Sequence, residues 1–251
     1  MHTEIAVPDV ALAIGAHPDD IDFHCGATLA KWSALGCEVH YLVLTDGSKG
    51  TWDPNTDTAL LVETRQKEQQ KAYAVITGCE ESTAVARTHF LSFVDGELMA
   101  GQEAIKAVCE IIRKLKPTVV LGHDPWRRYR LHPDHRNAGF ITTDAIVAAR
   151  DPFFYSEQKY QHFRPKFLFL FEADEADYCE AIDAYEEVKV KALLQHKSQL
   201  LSTMDIDLSA DDMRVETQIQ QFRENIFAQH KKYKAAFQVE KAEAYKLVDG
   251  I

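Results

Sequence analysis

The chain has 251 residues, 46% hydrophobic and 27% charged, with a formal net charge of −11. That length and balance suit one large α/β domain or two small ones and exclude a disordered chain, and the negative charge disfavours a polyanion such as nucleic acid as a partner. The five cysteines are scattered, odd in number and without a C-x-x-C pair, which argues against a disulfide framework and a structural zinc knuckle and fits a reducing compartment.

Short apolar runs alternate with longer amphipathic stretches. Residues 10–16 (VALAIGA) read as a buried strand, and residues 27–35 follow as a helix that stops at Gly36. Residues 39–45 (VHYLVLT) form a second strand, ending at the turn signal Asp46-Gly47. Residues 60–76 make a helix closed by Gly78, and residues 90–94 a strand turned by Asp95-Gly96. The helix over 102–115 is stopped by Pro117, and a strand over 118–121 precedes a helix over 135–149. The aromatic, irregular segment 152–165 reads as a lid or an interface, which allows a homo-oligomer. An apolar run over 167–172 and helices over 178–195 and 216–234 complete the chain. Strands alternating with helices predict an α/β fold with a mostly parallel sheet, helices on both faces, and a ligand site beyond the carboxyl ends of the strands. No basic segment followed by an apolar run opens the chain, and no apolar stretch approaches the roughly 20 residues that span a membrane. A cytoplasmic protein without membrane attachment is expected.

His-Pro-Asp occurs twice, each time after an expected strand: Gly15-Ala16-His17-Pro18-Asp19-Asp20, and His132-Pro133-Asp134-His135. A lone His-Pro-Asp is usually a turn capped by its Asp. Two copies at strand ends, each with an extra ligand-type residue, fit a metal centre better. His17 and Asp20 flank one turn, and His135 arrives from the second loop. Two imidazoles and a carboxylate suit one Zn²⁺ per chain and leave a position open for water, whose pKa zinc lowers to about 7. Asp19 is placed to act as general base. His132 is placed to stabilise an oxyanion or to protonate a leaving amine, with Asp134 fixing its tautomer. Pro18 and Pro133 stiffen both loops.

These two motifs resemble the A-H-P-D-D-[E] and H-P-D-H pair of the LmbE-like, or PIG-L, family of zinc-dependent de-N-acetylases. Gly26-Ala27-Thr28-Leu29-Ala30 is similar to the family's G-G-T-L-A helix start, and Leu44-Thr45-Asp46-Gly47 with Gly50-Thr51 to its second strand-loop. Arg65, Glu68, Ala72 and Gly78 match its R-x-x-E-x-x-x-A helix and terminal Gly, Asp95-Gly96 a later turn, and His196-Lys197-Ser198-Gln199 its H-[KR]-S-Q segment. The resemblance implies a Rossmann-like three-layer sandwich. It implies hydrolysis of an N-acetyl group from a small N-acetylated, amino-sugar-like substrate. It implies His17, Asp20 and His135 as zinc ligands, Asp19 as base, and His132 as oxyanion or acid partner oriented by Asp134. Arg65 and Asp95 become substrate-binding candidates by the same route. The expected organisation is one domain over 1–251, with a Rossmann-like, metal-bearing core over 1–150 and residues 151–251 completing the fold and the substrate pocket.

The chain departs from the pattern at Ile21, where a Glu is usual, with Asp22 one place later, and at Ala27 in place of a second Gly. The stretch His123-Asp124-Pro125-Trp126-Arg127-Arg128-Tyr129-Arg130-Leu131 is unusually basic and aromatic, and Tyr129 and Arg130, nearest His132, join the substrate-binding candidates. His196, more often a capping or core histidine in such a place, is the last of them. His24 and His123 are expected behind the ligands rather than among them. Gly47-Ser48-Lys49-Gly50-Thr51 lacks the spacing of a phosphate loop, and no G-x-G-x-x-G follows the first strand, so neither nucleotide hydrolysis nor NAD binding is expected. Two alternatives carry weight: a non-heme iron enzyme using the same two-His-one-carboxylate set, or an amidase acting on a non-sugar or thiol-conjugate amide.

Overall fold

The computed structural model describes residues 5–182 and 184–251. In chain order the elements are β1 (Val10–Gly15), α1 (Asp20–Ala34), β2 (Glu38–Thr45), α2 (Thr58–Thr77), α3 (Glu81–Arg87), β3 (Thr88–Phe93), α4 (Gln102–Leu115), β4 (Val119–His123), α5 (Pro133–Arg150), β5 (Phe167–Phe171), β6 (Tyr178–Ala181), α6 (Glu186–Leu193), α7 (Leu200–Met204), α8 (Asp212–Lys231), α9 (Lys234–Phe237) and β7 (Ala242–Asp249). They form a seven-stranded sheet in the order β3-β2-β1-β4-β5-β7-β6. β1 to β5 pair in parallel, and β7 runs antiparallel between β5 and β6.

The alternation of β1 divides the core. Ala11 and Ala13 face a layer built from α1, α2 and α6, with Ile21, Cys25, Leu29, Tyr73 and Ala192 packed against them. Leu12 and Ile14 face α4 and α5, against Val108, Ile112, Ala138 and Ile141. Both faces of the parallel strands are therefore covered, as their nearly continuous apolar sequences require. This is the three-layer α/β sandwich expected from the sequence.

The structure corrects several expected elements. The helix expected over 178–195 is a strand followed by a shorter helix. Tyr178 and Glu180 turn inward while Cys179 and Ala181 are half-buried, a period of two that pairs β6 with β7. β7 itself escaped the sequence reading, because Glu243 and Lys246 interrupt its apolar residues. The first helix begins at Asp20, seven residues ahead of the expected residue 27, so it carries a metal-site candidate at its first position. Segment 152–165 is no lid. The buried Arg113 of α4 donates to the carbonyls of Ala148, Ala149, Asp151, Phe154 and Tyr155, and so pins it beside the carboxyl end of α5, away from the cleft described below.

Candidate metal centre and catalytic cleft

The chain leaves β1 towards β2 on one side and returns from β3 through α4 to β4 on the other. β1 and β4 are nonetheless hydrogen-bonded neighbours, so their carboxyl ends open a crevice at the point where the strand order reverses. Both His-Pro-Asp loops enter it. The resulting cleft has a volume of about 560 Å³ and is lined by His17, Asp19, Asp20, His132 and His135, among others.

The local backbone explains the aim of each group. Asp19 sits at φ 95°, a left-handed conformation costly for a residue with a Cβ, and the chain turns there into α1. Its amide N–H donates to Gln69 Oε1 at 2.8 Å, and its carboxylate lies 3.4 Å from the Arg65 guanidinium. At the second loop, Pro133 occupies the first turn of α5, where its missing N–H is not needed. His132 caps that helix: its Nδ1 accepts from the Asp134 amide at 3.3 Å. The proton of the neutral ring therefore resides on Nε2.

Three candidate ligands form a close triangle. His17 Nδ1 lies 3.2 Å from His135 Nε2 and 3.3 Å from Asp20 Oδ2, and His135 Nε2 lies 3.3 Å from Asp20 Oδ1. Tetrahedral zinc with the usual bond lengths places its ligand atoms about 3.3–3.4 Å apart, close to the spacing of the two imidazole nitrogens and of each from its own Asp20 oxygen. The residues fit such an ion on chemistry as well as spacing. The other nitrogen of His17, Nε2, lies 3.2 Å from both Asp134 Oδ2 and Asp95 Oδ1, which holds its proton there and leaves Nδ1 free as a donor. The electrostatics favour positive charge at this point. Burial opposes an imidazolium at His17, yet Asp134, Asp20 and Asp95 outweigh it and hold the pKa well above the usual value. Burial also opposes ionisation of Asp20, but the charges and hydrogen bonds of His135, His123 and His17 carry its pKa well below the usual carboxylate range.

Two further polar groups of the cleft are shifted in opposite directions. Burial pushes the Asp19 carboxyl up to about 6, against the opposing pull of Arg65. Burial and the nearby charge of His17 push the His132 imidazole down, so it stays neutral with its Nε2 proton directed away from the cap. Its ring stands edge-on to His17, with centroids 4.7 Å apart.

Several sequence expectations change. Asp134 does not orient His132 with its carboxylate: that group receives the N–H of Gly96 at 2.6 Å and of Leu98 at 3.2 Å and faces His17 instead. Only the Asp134 backbone touches His132. Asp95 likewise backs His17 and accepts the Lys49 amide at 3.0 Å. Arg65 lines the cleft, but its guanidinium is committed to the Pro18 and Gly47 carbonyls at 2.7 and 2.9 Å, and so braces the loop that carries Asp19. Gly47, at φ 67°, supplies the turn that brings its carbonyl there. Arg130 reaches the cleft wall, against His135 Nδ1 and Glu172. Tyr129 is 92% exposed and lies outside the cleft, because the loop carries it outward. His196 is fully buried, 2.9 Å from Asp22, and cannot meet a substrate. Asp22 also receives Gln69 and Tyr41, so the carboxylate displaced one place by Ile21 holds the floor under Asp19 while Ile21 enters the core.

Three groups were missed. Gln69 ties Asp19 to Asp22, and nothing in its helical setting signals that. Trp52 stands 88% exposed on the cleft rim. Glu172 reads in the sequence as the end of an apolar run, yet it gathers Arg127 and His123, at 2.6 and 3.1 Å. The available signal was an acid closing an otherwise aromatic and aliphatic strand at the sheet's ligand-binding end.

Comparison with known proteins identifies relatives of the chain. The family model described as GlcNAc-PI de-N-acetylase (PIG-L) matches residues 12–146, which contain both loops. The diacetylchitobiose deacetylase of Thermococcus kodakarensis is 36% identical over 191 residues, covering 75% of this chain and 69% of the relative. A 1D-myo-inositol 2-acetamido-2-deoxy-alpha-D-glucopyranoside deacetylase of Nocardia farcinica is 28% identical, over 56% of this chain and 52% of the relative. The chain thus spans about half the length of that second relative. Among solved structures, the N,N'-diacetylchitobiose deacetylase of Pyrococcus horikoshii superposes with a TM-score of 0.82 at 26% identity, over 97% of this chain and 85% of its own. The 4-carboxy-2-hydroxymuconate hydratase of Pseudomonas putida, at 16% identity and a TM-score of 0.74 over 97% of each chain, shares the fold alone. A family model that spans more than half of the chain and a relative 36% identical over three quarters of it place the chain in the PIG-L family of de-N-acetylases.

Proposed function

We propose that the chain is a divalent-metal-dependent hydrolase that removes the acetyl group from an N-acetylated amino sugar. The observation that carries this reading is the triangle of His17, Asp20 and His135 donor atoms, with a buried carboxyl and a neutral imidazole donor in the same cleft. An ion held there, with zinc the best match to the donor set, supplies Lewis acidity that eases ionisation of a water and polarises the amide carbonyl. Asp19 accepts the proton of the attacking water; a carboxyl with a pKa near 6 both takes and returns a proton near neutrality. As the carbonyl carbon becomes tetrahedral, His132 Nε2–H donates to the developing oxyanion. Asp19 then returns the proton to the leaving amine, and acetate and the free amino sugar are released.

An amino-sugar substrate is supported by the relatives and by the walls of the cleft. Lys49, Thr51, Ser202 and Thr203 offer hydrogen bonds for hydroxyl groups, and Trp52 offers an apolar plate. Among the described residues no helix is long and apolar enough to cross a membrane, and all five cysteines are free thiols, which supports a reducing, cytoplasmic setting. The test is acetate release from N-acetylglucosamine and N,N'-diacetylchitobiose, with and without a chelator. Turnover is expected to vanish with chelator and return with Zn²⁺. Asp19→Asn is expected to lower kcat by about 100- to 10,000-fold while metal content stays the same. Chelator-resistant turnover would refute the reading.

A further inference from the structure

We infer that Gln69 is a positioning residue for the reaction: with Arg65, one turn away on α2, it clamps the peptide between Pro18 and Asp19 in the orientation that keeps the Asp19 carboxylate free for the cleft. Asp22 fixes which end of the Gln69 amide does so. The inference rests on the reading of Asp19 as general base and extends it to a residue outside both His-Pro-Asp loops.

An Asp placed just before a helix ordinarily turns its carboxylate back onto the helix's own N–H groups. Asp57 before α2 and Asp211 before α8 do so, at φ −70° and −64° with extended backbone. Asp19 stands in the same place before α1, but at φ 95°, and its carboxylate makes no bond to its helix. A left-handed backbone thus accompanies a carboxylate left free for the cleft. Such a backbone is unfavourable for a residue with a Cβ, and it persists only where neighbouring structure holds it.

Two side chains of α2 do the holding. Positions 65 and 69 lie on one face of that helix, one turn apart. Arg65 donates to the Pro18 carbonyl at 2.7 Å, and Gln69 Oε1 accepts the Asp19 N–H at 2.8 Å. That carbonyl and that N–H belong to a single peptide unit, which is therefore held at both ends. Turning the unit over would carry the φ of Asp19 out of the left-handed region, because the rotation is shared between ψ of Pro18 and φ of Asp19. It would also aim the N–H at the Arg65 guanidinium, donor against donor, and dislodge a group that lies 3.4 Å from the Asp19 carboxylate. The clamp opposes that relaxation.

The Gln69 amide can serve only one way round. Its Nε2 donates to Asp22 Oδ2 at 2.7 Å, so reversing it would set oxygen against the carboxylate and NH₂ against the Asp19 N–H. Asp22 is held in turn by the Tyr41 hydroxyl at 3.1 Å and by His196 Nε2 at 2.9 Å. Gln69 and Asp22 are fully buried and neither lines the cleft, so both act through Asp19 rather than on a substrate.

The experiment measures acetate release from N,N'-diacetylchitobiose by the Zn²⁺-loaded full chain, by Gln69→Leu and Gln69→Asn, and by each change combined with Asp19→Asn. Leu has no polar atom, and the Asn amide is one methylene too short to reach Asp19 and Asp22 together. Each single change is expected to lower kcat about 10- to 100-fold, with KM and zinc stoichiometry unchanged. In the Asp19→Asn background neither should lower kcat further, because the group that Gln69 positions is already gone. A further loss there as large as in the wild type would show general support of the fold and overturn the proposal. So would a Gln69→Asn protein with wild-type kcat, whatever becomes of the leucine variant. Hydrogen exchange on the metal-free wild type needs no variant: the Asp19 amide should exchange at least about 100-fold more slowly than an open peptide. Exchange at the open-peptide rate overturns the clamp. Full turnover by Asp19→Asn alone removes the base reading itself, a distinct result from an unchanged kcat in the Gln69 variants.

Discussion

At Asp19 and His132 the chain uses backbone geometry to set side-chain chemistry. Asp19 is turned into the cleft by a left-handed φ and held by Gln69 and Arg65, so a carboxyl stays enclosed where burial raises its pKa. His132 is fixed by a single backbone N–H, which selects the tautomer that can donate. On the proposed mechanism, replacing His132 with Ala removes the donor to the oxyanion, so kcat should fall about 100- to 1,000-fold with little change in KM. His132→Gln, which keeps an N–H donor, should lose less. Equal losses in both variants would argue against donation. Trp52 belongs to the same scale. Covering about 50 Å² of its ring with a sugar face is worth about 1 kcal/mol. Trp52→Ala should therefore raise KM for N,N'-diacetylchitobiose about fivefold, with kcat unchanged. An unchanged KM would show that the indole does not meet the substrate.

Two helices translate core packing into site geometry. α5 carries His135 and lies tight against the loop that follows β4. A Cβ built on Gly139 would come within 2.7 Å of the His123 carbonyl oxygen and 2.8 Å of the Pro125 nitrogen, both backbone atoms with little freedom to retreat. Gly139→Ala should force helix and loop apart. The expected cost is about 1–3 kcal/mol of stability, measured by urea unfolding, together with weaker metal binding. Stability loss with untouched metal affinity would mean that the loop alone absorbs the shift. α1 is supported midway instead: the Glu243 carboxylate accepts the N–H groups of Ala27 and Thr28 at 3.2 and 2.7 Å, within the helix rather than at its end. That places a residue of the last strand against the helix that begins at Asp20.

Across the whole molecule, Glu243 links the carboxyl-terminal part to the amino-terminal one. It pairs with Lys189 of α6 at 2.7 Å, with both side chains buried. Burial raises the Glu243 pKa, but Lys189, His230 and the bond to Thr28 more than reverse that and hold it below the usual value. A carboxyl depressed in the folded state stabilises above its unfolded pKa of about 4.3, and the contribution is lost as pH falls through the folded value. Glu243→Gln leaves Lys189 buried without its counter-charge. It should cost about 3 kcal/mol at pH 7, and the gap to wild type should narrow in urea unfolding below about pH 4. A gap that is constant with pH would mean that Glu243 contributes only hydrogen bonds.

By itself the sequence determined the alternation of buried strands and helices, hence the layered parallel sheet, because apolar periodicity is a local property of the chain. It also determined that His17, Asp19, Asp20, His132 and His135 belong together, because one loop directly follows a strand, the other lies between a strand and the next helix, and both carry the same tripeptide. Tertiary structure decided which partners those residues take. The sequence assigned Asp134 to its neighbour His132, but the helical turn at Pro133 points its carboxylate across the crevice to His17. His196 carried a family motif and proved a buried support for Asp22, while Glu172 carried none and arrives at the cleft because β5 lies beside β4. Such pairings depend on which strand ends the fold sets side by side, and on distances through space that local spacing along the chain does not encode.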